Sequence, residues 1–174
     1  MKKFIIFVIV AILLVMLTGC FLFHPGTPHE TYKTLEAALR DLRFSCSEPA
    51  FLPEGYKRDS IIIWTGNLLE ITYKKSGSPM IEFCAIVEHE RDVDSFMNHF
   101  NFKPDWFPVT AELEINGASV VAKGKSEEDF KIAAWQTDGI SFAVRVGFYD
   151  EEGLPLDVIS NIIESITDIK NLAD

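Results

Sequence analysis

Two dipeptides, Asn116-Gly117 and Asp138-Gly139, restrict the possible folds of this chain more than any other feature. Each lies between runs rich in β-branched and aromatic residues, and each supplies the positive φ angles that a two-residue hairpin turn demands. A meander of four strands is therefore predicted, close to 110–115, 118–124, 130–136 and 140–147. Between the middle two strands, Gly124-Lys125-Ser126 mimics the end of a phosphate loop. Ser119 stands where that loop needs its first glycine, and Glu127-Glu128-Asp129 would repel phosphate, so the segment reads as a hairpin turn.

A second meander precedes it. Runs at about 58–64, 68–74 and 80–88 are separated by Thr65-Gly66-Asn67 and Ser76-Gly77-Ser78-Pro79. In the third run Ile81, Phe83, Ala85 and Val87 alternate with Glu82, Cys84, Ile86 and Glu88. That pattern predicts a strand half-facing a core, with Cys84 on the more polar side. Upstream, Thr27-Pro28-His29-Glu30 has the form of a helix start, and Tyr32, Leu35, Leu39 and Leu42 continue it on one face to about Phe44. Downstream of Pro155, the spacing of Leu156, Ile159, Ile162, Ile163, Ile166 and Ile169 predicts an amphipathic helix. The expected fold is α+β: one curved antiparallel sheet of about seven strands in two meanders, with an N-terminal and a C-terminal helix packed on it. Residues 89–108 read either as a short helix or as a crossing loop, with Pro104 and Pro108 bracketing Trp106 and Phe107.

The N-terminus sets the compartment. Lys2 and Lys3 precede an unbroken apolar run from Phe4 to Leu17, followed by small residues and a cysteine, in the order of a secretory signal. Leu17-Thr18-Gly19-Cys20 resembles the bacterial lipoprotein box. The resemblance implies a signal peptide over 1–19, diacylglycerol on the Cys20 thiol, further acylation such as palmitate, and a tether over 20–26 leading to one domain at 27–174. Phe21, Leu22 and Phe23 extend the apolar stretch toward the roughly 20 residues of a membrane span, so an uncleaved anchor is the alternative. Both place the domain in the cell envelope, outside the cytoplasm, because the lysines stay inside.

Without residues 1–19 the chain keeps 14 basic residues against 26 acidic ones, a formal charge of −12. Nucleic-acid binding calls for clustered Lys and Arg, so no nucleic-acid partner is expected, and attachment to the membrane falls to the lipid on Cys20. Cys46 and Cys84 then remain; they either pair, as exported cysteines often do, or serve as two buried thiols.

From about 48 to 167 the chain resembles a family of bacterial extracytoplasmic domains of unknown function. These occur in lipoproteins and at the outer ends of anti-sigma-factor-like membrane proteins. The likeness rests on Leu52-Pro53-Glu54-Gly55-Tyr56, Ile115-Asn116-Gly117, Trp135 and Ile162-Ile163-Glu164-Ser165-Ile166. Thr137-Asp138-Gly139-Ile140-Ser141-Phe142 and the helix after Pro155 also look like the C-terminal domain of the periplasmic regulator of a sigma-E anti-sigma factor. These are turns, a core tryptophan and a helix face, so the resemblance implies a fold and assigns no catalytic residue.

Motifs for chemistry fail one by one. His89-Glu90 has Val93 where a zinc helix needs its second histidine, and Asp92-Val93-Asp94 meets Phe96 and Met97 where a calcium loop needs an acid and a glycine. Gly139-Ile140-Ser141-Phe142-Ala143 lacks the last glycine of a nucleophile elbow. No metal, cofactor or enzymatic activity is expected. Phe96, Phe100, Phe102, Trp106 and Phe107 form the remaining concentrated feature. They read as core packing or as a patch on which Trp106, Phe107 and Phe102 grip an envelope protein partner. The leading functional expectation is a noncatalytic binding or regulatory lipoprotein. The alternative is a carrier or sensor of an apolar ligand in a cavity between sheet and helices; an enzyme of unrecognised type comes last.

Overall fold

A computed structural model describes residues 29–42, 44–64, 67–86, 93–99, 102–147, 152–167 and 169–171. The signal segment, Cys20 and its tether lie outside the described residues, as do Val87, Glu88 and His89. Strands β1 (His29–Tyr32), β2 (Phe44–Ser45), β3 (Lys57–Trp64), β4 (Leu68–Lys74) and β5 (Ile81–Ile86) make the first half, with helix α1 (Leu35–Leu42) between β1 and β2. Helix α2 (Val93–His99) and a 3₁₀ turn (Pro104–Trp106) lead to β6 (Val109–Ile115), β7 (Ala118–Ser126), β8 (Asp129–Thr137) and β9 (Ile140–Val146). Helix α3 (Leu156–Glu164) and β10 (Lys170–Asn171) close the chain.

The fold is α+β, with an eight-stranded antiparallel sheet in the order β1-β3-β4-β5-β9-β8-β7-β6. Two meanders meet at β5 and β9, where Ile81 pairs with Val146 and Ile86 with Ser141. Helix α2, between the two meanders in the chain, packs on one face of the sheet, and the second meander starts at the far edge and works back to the centre. Both sequence-predicted hairpins are built on positive φ: 52° and 79° at Asn116-Gly117, 49° and 72° at Asp138-Gly139. Gly124 proves to lie inside β7 rather than in a turn. A Cβ there would come within 2.3 Å of the Asp129 carbonyl oxygen, so the bulged strand can approach its neighbour only at glycine.

The eighth strand is β1, where a helix start is predicted. His29–Tyr32 pairs instead with Trp64–Ile61 along the edge of the sheet, and the helix begins only at Leu35. Thr34 serves as its N-cap, its Oγ1 accepting from the Ala37 N–H at 3.3 Å. Strand pairing satisfies the backbone of His29–Tyr32 more completely than an extra frayed turn of helix, and Tyr32 still meets α1 by donating to Asp41 at 2.6 Å. The C-terminal helix likewise stops at Glu164, earlier than its apolar stripe. Ile166 and Ile169 pack beyond it, and β10 pairs with β2 in a separate two-stranded ribbon.

Apolar residues on the first face of the sheet, among them Ile61, Ile71, Phe83, Phe142 and Val144, pack with α1 and α3 into the larger core. The second face carries a smaller one, where Ala134, Ala143, Cys84 and Ile132 meet Phe96 and Met97 of α2. The expected half-exposed character of β5 is therefore corrected: all six of its residues are buried.

Candidate functional site

Val93, Phe96 and Met97 recur at helical spacing and are buried, which seats α2 on the second face. The Phe102 N–H donates to the Met97 carbonyl at 2.8 Å, and the Trp106 N–H to that of Lys103 at 3.0 Å. These bonds fold the following segment tightly against the same core. Phe102 and Phe107 are each only 5% exposed and meet edge to face at 5.3 Å between ring centroids. Both are thereby corrected from contact residues to core residues. Trp106, carried outward by the short turn, is 44% exposed, with the Lys103 ammonium 5.5 Å from its ring centroid. Among the described residues it and Phe51 are the large hydrophobic side chains left exposed.

Beside that core lies a buried polar cluster. Strand register sets Glu70 against Cys84 and Glu82 against Arg145 on the second face. The Arg145 guanidinium reaches Glu82 at 2.9 Å and Glu70 at 3.2 Å. Burial alone would disfavour the arginine charge, but the Glu82 and Glu70 carboxylates outweigh it, and the guanidinium is held more firmly protonated than in water. Burial pushes the Cys84 thiol up, well out of the range in which a thiolate nucleophile forms at neutral pH. The arrangement ties three strands together and offers no activated nucleophile.

A third feature opens at the end of the sheet that carries both tight turns. A cleft of about 390 Å³ lies between the last turn of α3 and strands β6, β7 and β8. Ile115, Trp135, Ile163 and Ile166 give it an apolar floor, and Asn116, Asp138 and Glu164 stand among the polar residues that line it. Trp135 is fixed by stacking on Phe142, with centroids 5.2 Å apart and planes 15° from parallel. Asn116 bridges the hairpin tip to the helix by donating from Nδ2 to the Glu164 carbonyl at 3.3 Å.

The structure brings none of the sequence-predicted site residues into a common site except the aromatics of the second core. Cys46 and Cys84 are both free and buried, Cys46 in the first core and Cys84 in the second. The sheet lies between them, so of the two readings open for these cysteines the structure takes that of two buried thiols, not the pair. Burial, reinforced by Glu48, pushes the Cys46 thiol up to about 12. Among the described residues no three His, Cys, Asp or Glu side chains gather into a metal-binding group, and no helix is long and apolar enough to cross a membrane. The sequence suggests a cavity between sheet and helices without placing it, although the two turn dipeptides and the end of the isoleucine stripe that frame this cleft are all visible there. In comparisons with known proteins, no family profile, no curated protein and no solved structure matches this chain.

Proposed function

We propose that the protein is a noncatalytic lipoprotein of the bacterial cell envelope, held to the membrane by lipid on Cys20, and that it works by binding an envelope protein partner through Trp106. The observation that carries the reading is the contrast within one short segment. Trp106 stands exposed on a 3₁₀ turn while Phe102 and Phe107 on either side are locked into the core. A large aromatic held rigidly outward supplies buried area to a partner at small entropic cost. The lipoprotein box at Leu17–Cys20 and the resemblance to extracytoplasmic domains support the location.

A photocrosslinking residue at position 106 of the full chain, expressed in its native cells, tests the binding. A discrete protein adduct at 106, absent when the same residue replaces Glu128, supports the proposal; indistinguishable adduct patterns overturn it. Intact mass of the membrane-extracted protein tests the anchor. Loss of Met1–Gly19 with acylated Cys20 is expected, and an unmodified Cys20 on an uncleaved chain overturns that half. A second reading, a carrier or sensor of an apolar ligand, draws on the cleft between α3 and the sheet, which is lined from the second meander.

A further inference from the structure

The cleft at the hairpin end of the sheet has a chemistry that the protein-binding reading does not use. Its volume of about 390 Å³ falls within the range of pockets that enclose small organic ligands, roughly 300–1,000 Å³. Its floor, from Ile115 of β6 through Trp135 of β8 to Ile163 and Ile166, offers apolar contact. Among the described residues, the ionisable side chains lining it are Asp138 and Glu164, both acidic. The helix end adds to their sign. The last turn of α3 closes one side of the cleft, and it contains no basic residue to offset the negative end of the helix dipole.

We infer that this cleft is a binding site for a small organic cation: an ammonium head on a short apolar body. The head would lie toward Asp138 and Glu164 and the body against Trp135 and the isoleucines. A fatty acid or other anionic amphiphile is the wrong ligand for the same floor, because its carboxylate would approach two others and the carbonyl end of a helix. The proposal is independent of the partner assigned to Trp106, since the flanking Phe102 and Phe107 belong to the second core whereas Trp135 and the isoleucines belong to the first.

The test uses three fluorinated probes of one shape on the full chain, followed by ¹⁹F NMR. These are 4-fluorophenethylamine, 4-fluorophenethyl alcohol and 3-(4-fluorophenyl)propanoate. The amine should bind saturably with Kd below about 1 mM, at least about tenfold more tightly than the alcohol, and the propanoate more weakly still. Asp138→Asn with Glu164→Gln should weaken the amine by about tenfold and leave the alcohol unchanged. The asparagine keeps the turn, since Asn-Gly serves that hairpin geometry as well as Asp-Gly. Glu127→Gln with Glu128→Gln, on the turn at the opposite end of β7, should change nothing. Equal binding of the three probes overturns the proposal, as does no saturable amine binding below 1 mM on the scale just given. Equal losses in the two double variants also overturn it, because they would trace the attraction to the overall charge of the protein.

Discussion

The two faces of one sheet are buried by different means. On the first, side chains such as Ile61, Ile71, Phe83 and Val144 pack on α1 and α3 with apolar contact throughout. On the second, a short helix covers Ala134 and Ala143, while Glu70, Glu82 and Arg145 fill neighbouring positions with charge. Apolar packing tolerates approximate partners and contributes stability in proportion to area. A buried ion cluster contributes little net stability but penalises any rearrangement that separates its members. The first face therefore carries most of the folding energy. The second holds β4, β5 and β9 in register.

Breaking the first face should have the largest effect. Phe142 stacks on both Phe83 and Trp135, at 5.9 and 5.2 Å, so Phe142→Ala should cost about 4–5 kcal/mol in urea unfolding. On the second face, Arg145→Met leaves Glu70 and Glu82 buried without the cation between them. It should cost about 3 kcal/mol, and adding Glu70→Gln and Glu82→Gln should recover most of the loss. If the triple variant is no more stable than Arg145→Met, the cluster is not what that arginine supports.

The thiols compare the faces under alkaline conditions. A thiol whose pKa is raised by folding contributes stability that is complete below the unfolded value of about 8.5 and is lost as pH rises toward the folded value. For Cys46, pushed up to about 12, stability should fall between pH 8 and 10 by about 2 kcal/mol. Cys84, also raised, should add a similar loss from the other side. Cys46→Ala and Cys84→Ala should each flatten the pH profile of the unfolding free energy, and a profile unchanged by either places its thiol in water. The smallest effect belongs to Trp106→Ala, which should change stability by less than about 0.5 kcal/mol while abolishing the crosslinked adduct's non-covalent counterpart in pull-down.

The first meander, the second meander and the C-terminal helix were legible because their signals are local: alternation, Asn-Gly, Asp-Gly, and isoleucines at helical spacing. β4, expected at 68–74, is found at Leu68–Lys74. What escaped reading depends on residues far apart in sequence. Glu82 and Cys84 read as the more polar side of β5 because nothing near them shows that Arg145 will arrive from another strand. β1 was hidden by a Thr-Pro that imitates a helix start, although its pairing is decided by Ile61–Trp64 some thirty residues on. β2 and β10, two residues each, are too short to carry any period. Trp106 and Phe107 are neighbours of similar chemistry, and only the 3₁₀ turn sends one outward and the other inward.

The position of β1 has a consequence for reach. Nine residues take the chain from Cys20 to His29, so with Cys20 lipidated the leash spans at most about 30 Å. It is fastened to one border of the sheet, and the order of strands puts β6 at the opposite border, seven inter-strand spacings or roughly 33 Å away. An anchor on Cys20 would thus confine the domain to a thin shell over the bilayer, where its effective concentration toward other membrane-bound proteins would be high without any gain in intrinsic affinity. The cleft lies on the half of the sheet remote from β1, so under that anchor it would swing clear of the lipid surface while the border at β1 stayed close to it.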